Sequence, residues 1–294
     1  MESVNFLKNY ELIDPHFHLF TNDVKRDWAQ NLEMFKNFQF TIDQYQETMK
    51  DYNFTRFIHA ETIADDPLEE VYFINSMKSK EPRLIGQIAG IKLQLGEEVR
   101  SYLEEIMKIK DVPVLGIRQE FMLENPDFCL QTNCIEAMKV LSNYNIPFEL
   151  EGGCRQEALE SIIKLVELFP SMKFVWDHAG KPDIKNDNKG IPDWYDLVVK
   201  MASFNNVTLK IGGSTFFHDM FDFDEEKLLP YLEHAFNSFG FDRVVIGSDV
   251  PMTTKCVSID YYYNLIINVA KKCGAENKDI LNMFTANIDK LYNL

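Results

Sequence analysis

Apolar and polar positions follow two alternating rhythms along the chain. Short β-rich segments recur eight times, roughly at Leu12–His18, Thr55–Glu61, Leu84–Ala89, Val114–Glu120, Pro147–Glu151, Lys173–His178, Val207–Gly212 and Arg243–Asp249. From the second strand on, each is followed by a polar turn and then a stretch whose apolar residues return at helical intervals. The helical stretches are Pro67–Lys80, Glu97–Lys108, Cys134–Asn143, Gln156–Phe169, Trp194–Ser203, Glu225–Phe239, Tyr261–Lys272 and Lys278–Tyr292. Strict alternation of strand and helix predicts α/β architecture with parallel strands. Eight units favour a closed, slightly elaborated (β/α)8 barrel over an open sheet. No GxGxxG or GxxxxGK[ST] follows the first strand, which removes the usual cue for a nucleotide-binding sheet.

Composition is compatible with one such barrel as a single domain over residues 1–294, since a barrel of this kind needs about 250 residues. With 46% hydrophobic residues, including 23 Phe, the chain can bury a large core. The formal charge of −16 disfavours nucleic acid and anionic membranes as partners. The start of the chain lacks a basic segment followed by an apolar stretch, and no apolar run reaches membrane-spanning length. The five cysteines are odd in number and have no CxxC spacing, so they read as reduced thiols of a cytoplasmic protein.

Side chains alternate across a strand, and barrel active sites sit at the C-terminal strand ends. On this basis Asp14, His16 and His18 face inward from the first strand, with Ile13, Phe17 and Leu19 outward. His59 and Glu61 share a face of the second, Arg118 and Glu120 of the fourth, Glu149 and Glu151 of the fifth. The sixth ends at His178 and the eighth at Asp249. Polar groups at six strand ends are hard to ascribe to packing. A His-x-His pair on a strand directs both imidazoles into one cavity, as chelation of a divalent ion requires. Asp249 could bind metal, deprotonate water or serve as a cap. His178 could polarise a carbonyl or bond to a loop. Arg118 either clamps a substrate carboxylate or pairs with Glu149 or Glu151. Lys210 invites the same two readings, with outward solvation favoured. Trp28, Trp176 and Trp194 read as core or rim packing, Gly152–Gly153 and Gly212–Gly213 as turns after strands, and His218 and His234 as residues without chemistry.

The motifs IDPHFHLF, GIRQEF, FVWDHAGKP, LKIGGS, DRVVIGSDVP and FTANIDKLYNL occur in that order. Together they resemble the amidohydrolase superfamily, specifically its amidohydrolase 2 branch. That branch includes sugar-acid lactonases acting on L-fuconolactone or L-rhamnonolactone, and 2-pyrone-4,6-dicarboxylate hydrolase. The resemblance spans nearly the whole chain and implies a hydrolase that opens a cyclic ester, a sugar-acid or carboxylated lactone. It casts Asp249 as general base and His178 as its catalytic companion. His16, His18, Asp249 and His178 become the metal-binding set, and Arg118 a substrate contact. His59, Glu149 and Glu151 join Arg118 as substrate-binding candidates. Gln119 stands where many such lactonases carry His, and Val250 where they carry Trp. Because the fifth strand offers Glu149 and Glu151 rather than His, and the fourth no bridging Lys, a two-metal site is not expected. One divalent ion, zinc before others, or none is the expectation. The expected partner is a small-molecule substrate, with a homodimer as candidate assembly. The rivals are a metal-dependent decarboxylase of an unsaturated acid and a non-catalytic ligand-binding barrel.

Overall fold

The computed structural model describes residues 4–122, 124–151, 155–213 and 224–294. Gly152–Gly153, Cys154 and His218 lie outside the described residues. The strands are β1 (Leu12–Phe17), β2 (Phe54–Ala60), β3 (Leu84–Gly90), β4 (Val114–Glu120), β5 (Phe148–Glu151), β6 (Phe174–Asp177), β7 (Val207–Ile211) and β8 (Val244–Ile246). They form one all-parallel sheet in sequential order. The chain just past β8 returns to β1: Asp249 N donates to His16 O at 2.7 Å and His18 N to Val250 O at 2.8 Å. Those bonds close a (β/α)8 barrel.

The helices are α1 (Asp27–Gln30), α2 (Ile42–Met49), α3 (Pro67–Ser76), α4 (Val99–Ile106), α5 (Thr132–Leu141), α6 (Gln156–Leu168), α7 (Trp194–Ala202), α8 (Glu225–Phe239), α9 (Ile259–Lys272), α10 (Asn277–Met283) and α11 (Ala286–Tyr292). Their starts follow local chemistry. Asp66 caps α3, with Pro67 at its first position, and Asp224 accepts from Lys227 N to cap α8. Helices α1 and α2 elaborate the β1–β2 connection and were not predicted; α2 opens on a reciprocal Thr41–Gln44 cap. The single helix expected over Lys278–Tyr292 is broken at Thr285, whose non-helical backbone separates α10 from α11.

The break matters for the core. Helix α11 closes the N-terminal end of the barrel, where Ile288, Leu291 and Tyr292 pack with Ile13, Ile58, Ile88, Val175 and Val245 from inside. A larger shell of apolar residues fills the space between the sheet and the outer helices. Burying one such Ile or Phe contributes roughly 1.5–3 kcal/mol. The expected alternation on β1 is therefore corrected. Ile13 faces inward, and the register shifts between Asp14 and Phe17. Asp14 turns instead to Tyr45 of α2, which belongs to the outer shell. No helix among the described residues is long and apolar enough to cross a membrane.

Candidate active site

The C-terminal ends of β1, β6 and β8 bring His16, His18, His178 and Asp249 together, all buried. His16 Nε2 lies 3.1 Å from His18 Nε2. Asp249 Oδ1 is 3.4 Å from His18 Nε2 and 3.9 Å from His16 Nε2, while Oδ2 faces His178 Nδ1 at 3.9 Å. One carboxylate oxygen thus addresses the His-x-His pair and the other addresses His178. His178 and Asp249 both adopt positive φ, 55° and 51°. That conformation is uncommon outside glycine and concentrates at functional sites.

Small residues make the crowding possible. A Cβ on Gly247 would come within 2.6 Å of His16 Cβ, and one on Gly212 within 2.6 Å of His178 Cε1. Below the cluster, the Asp14 carboxylate accepts from Ser248 N (2.9 Å), Ser248 Oγ (2.6 Å), Tyr45 OH (2.7 Å) and His16 N (3.2 Å). It ties the end of β1 to the segment after β8 and so sets His16 against Asp249. Burial raises the Asp14 pKa, with these donors opposing it.

Tautomers follow from the partners. His18 Nδ1 sits 2.9 Å from the Ala60 carbonyl, which can only accept, so Nδ1 carries the hydrogen and Nε2 presents a lone pair. Burial pushes the His16 pKa well below its ordinary value, with the Lys210 charge adding to the effect. Burial also lowers that of His178, against the pull of Asp249. Both rings are therefore favoured as neutral, and the Nδ1 atoms of both have no hydrogen-bond partner among the described residues.

That donor set fits a divalent cation. The three atoms of His16, His18 and Asp249 form a triangle whose centre lies about 2 Å from each, the length of a zinc–nitrogen or zinc–oxygen bond. A second trio, His16, Asp177 and His178, also gathers within 4.8 Å. Asp177 is already committed there, to Arg118 at 3.0 Å and Lys210 at 3.6 Å. The first trio is the better metal site.

Beside the cluster opens a cavity of about 530 Å³, and His18, His178, Glu61, Arg118, Glu120, Glu151 and Lys181 form its polar floor. Each guanidinium nitrogen of Arg118 donates to a carboxylate: Nε to Asp177 (3.0 Å), Nη1 to Glu61 (2.6 Å) and Nη2 to Glu151. Burial opposes the Arg118 charge, yet Glu61 and Asp177 raise its pKa above the ordinary arginine value. Of the two readings for Arg118, the structure shows the ion pair with Glu151, joined by two further carboxylates.

His59 and Glu149, expected near substrate, do not reach this cavity. His59 packs against Phe17 and its Nε2 accepts from Leu19 N at 3.2 Å. Strand β2 ends at Ala60, so strand alternation no longer links His59 to Glu61. Glu149 lies deeper in the barrel, where Lys210 Nζ and Tyr292 OH each donate to it at 2.5 Å. The favoured reading of Lys210 as solvated is likewise corrected: it is fully buried, drawn inward by Glu149 and Asp177. Burial pushes the Glu149 pKa up to about 7, with Lys210 opposing.

Sequence reasoning assigned no role to Lys181, Asp177 or Ser248. Lys181 pairs with Glu151 at the cavity floor. The DHAGKP and GSD motifs contain all three residues, and their contacts with assigned neighbours were the available signal.

A family model described as Amidohydrolase matches residues 13–294, and the chain belongs to that family. A zinc-bound amidohydrolase from Burkholderia multivorans is similar in structure, with a TM-score of 0.80 at 16% identity over 97% of this chain and 100% of the other. A probable 2-pyrone-4,6-dicarboxylic acid hydrolase from Acinetobacter baumannii, crystallised with citric acid, superposes with a TM-score of 0.70 at 16% identity over 97% and 100%. 2,6-Dihydroxybenzoate decarboxylase from Rhizobium gives 0.62 at 12% identity over 96% and 98%. At such identities these likenesses concern the fold.

Proposed function

We propose that this amidohydrolase opens a cyclic ester by attack of water on the carbonyl, with Asp249 as general base. The observation that carries the reading is the division of labour at Asp249, whose Oδ1 faces His16 and His18 while Oδ2 faces His178. Oδ2 accepts the proton of the attacking water, which enters between His18 and His178. His178, neutral and with an unpartnered Nδ1, is placed to hydrogen-bond the oxyanion that develops. Zinc, held by His16, His18 and Oδ1 of Asp249, would supply electrophilic polarisation of the carbonyl. Arg118 acts as a positioning residue, fixing Glu151 and through it Lys181 against the substrate space.

A decarboxylase would take a carboxylate as substrate. Glu61, Glu120 and Glu151 already face the cavity, and its two cations, Arg118 and Lys181, are engaged. That balance favours the hydrolase. A panel of five- and six-membered lactones, followed by acid release in a pH-indicator assay, tests it. Ring opening of at least one member is expected. CO2 from an unsaturated acid without acid release from any lactone would move the protein to the decarboxylases, and binding without turnover to the non-catalytic barrels.

A further inference from the structure

Resting on that reading, we infer that the substrate is an uncharged lactone bearing an apolar substituent several carbons long, rather than a polyol or a carboxylated ring. The floor and the wall of the cavity differ in chemistry. Above the polar floor the wall is built from Phe20, Trp28, Leu32, Met34 and Phe35, with Met252 also on the cavity. Leu32 is 48% exposed, an apolar side chain held against solvent at the opening. Polar atoms on this side mostly have internal partners. Trp28 Nε1 donates to Thr62 O at 3.1 Å, and Thr62 Oγ1 is taken up between Arg26 and Glu70. Asn31 is the exposed amide among the wall residues. A polyol would leave most of its hydroxyls without partners along such a wall, at a cost for each one desolvated.

Charge argues the same way. All 30 lysines and arginines of the chain fall among the described residues, and those on this cavity are Arg118 and Lys181. Arg118 is held by Glu61, Glu151 and Asp177, and Lys181 by Glu151. A carboxylate on the substrate would have to compete with these buried carboxylates for the same two cations. It would also sit beside Glu61, Glu120 and Glu151. The ester ring meets the floor, and the substituent lies along the Phe20–Phe35 wall; a bare five-membered ring would leave most of the cavity unfilled.

In the reaction the water oxygen bonds to the carbonyl carbon and the bond from that carbon to the ring oxygen breaks. The ring oxygen leaves as an alcohol carrying a proton, and the new carboxyl group releases its proton to solvent. The neutral substrate thus becomes an anion in a cavity rich in carboxylates, and like-charge repulsion favours its departure.

The test compares γ-valerolactone with γ-heptalactone and γ-nonalactone, and sets glucono-1,5-lactone and 2-pyrone-4,6-dicarboxylate beside them, using the protein with its metal content as isolated. The expected kcat/KM rises about fourfold for each methylene the wall buries. Leu32→Ser should flatten that slope. Calorimetric binding of the same compounds separates the outcomes. Turnover with equal or better activity on the dicarboxylate or the polyol overturns this inference and keeps the hydrolase. Absence of turnover on every lactone, with binding that still strengthens along the alkyl series, overturns the hydrolase and keeps the selectivity. Neither turnover nor binding overturns both.

Discussion

Two buried polar clusters share the interior of this barrel, and they are built on opposite terms. In one, running from Tyr292 through Glu149, Lys210 and Asp177 to Arg118, Glu61 and Glu151, each charged group faces an opposite charge within bonding range. In the other, His16 and His178 keep ring nitrogens without partners, and His178 and Asp249 adopt left-handed backbone conformations. Folding alone would fill those positions with Val or Leu, or pair them. Burying unsatisfied polar atoms costs about 1–3 kcal/mol each, so the second cluster is tolerated for what it does, whereas the first organises the floor beneath it. The contrast also tells which residues should cost turnover when changed and which should cost stability.

The largest effect is expected at Asp249. Asn retains the shape and is among the residues that tolerate positive φ, but it cannot take a proton. Asp249→Asn should lower turnover at least ~10²-fold on whichever lactone the wild type opens. The thermal midpoint should shift little. Near-native turnover with an unchanged pH profile would place Asp249 in the structural cluster and erase the distinction.

Arg118→Met should invert that pattern. It leaves Glu61, Glu151 and Asp177 facing one another in the barrel without their cation. Removing one partner from a buried ionic network costs about 3–5 kcal/mol, which urea denaturation would read directly. If stability instead holds while KM for charged substrates rises, Arg118 is a substrate clamp and the paired network is part of the binding surface.

Much of this was legible in the residues. Eight strand segments and the inward-facing Glu149 and Glu151 follow from period-two alternation, and helix α8 matches its predicted span. His178, one residue past β6, has the opposite parity to the inward Val175 and Asp177, and its positive φ accompanies its turn into the site. Local irregularity hid the rest. Pro15 lies within the irregular stretch of β1, whose shift puts Ile13 inside and Asp14 outside, a reversal that alternation cannot foresee. The partners of Lys210 come from β5, β6 and the far C-terminus, so nothing adjacent in sequence marks it as buried. The role of Tyr292 depends on α11 folding back under the barrel, a contact 143 residues distant from Glu149. The two histidines and Asp249 were readable because their chemistry sits at strand ends; the lattice of pairs under them is a property of the closed barrel.

Tyr292→Phe tests the deepest link with the smallest change. The phenol donates to Glu149 Oε1 at 2.5 Å inside the apolar plug, and Phe fills nearly the same space without the donor. Losing a hydrogen bond to a charged acceptor costs about 1.5–3 kcal/mol, to a neutral one about 1. Which value applies depends on pH. The Glu149 pKa is raised from 4.5 to about 7 in the fold, because burial disfavours its ionised form more than Lys210 and Tyr292 favour it. The unfolded chain therefore releases this proton first, and wild-type stability from this group falls as pH rises from about 4.5 to 7. Removing the phenol takes away a donor to the carboxylate, which moves the folded pKa higher still and extends the loss to higher pH. The stability gap between variant and wild type should thus be narrow at pH 5, where folded Glu149 is protonated, and wider at pH 8, where wild-type Glu149 is ionised. Denaturation curves at the two pH values measure it. A gap that narrows toward pH 8 would mean that Tyr292 steadies the neutral carboxyl, and that the lower cluster is not the fully paired ionic network described above.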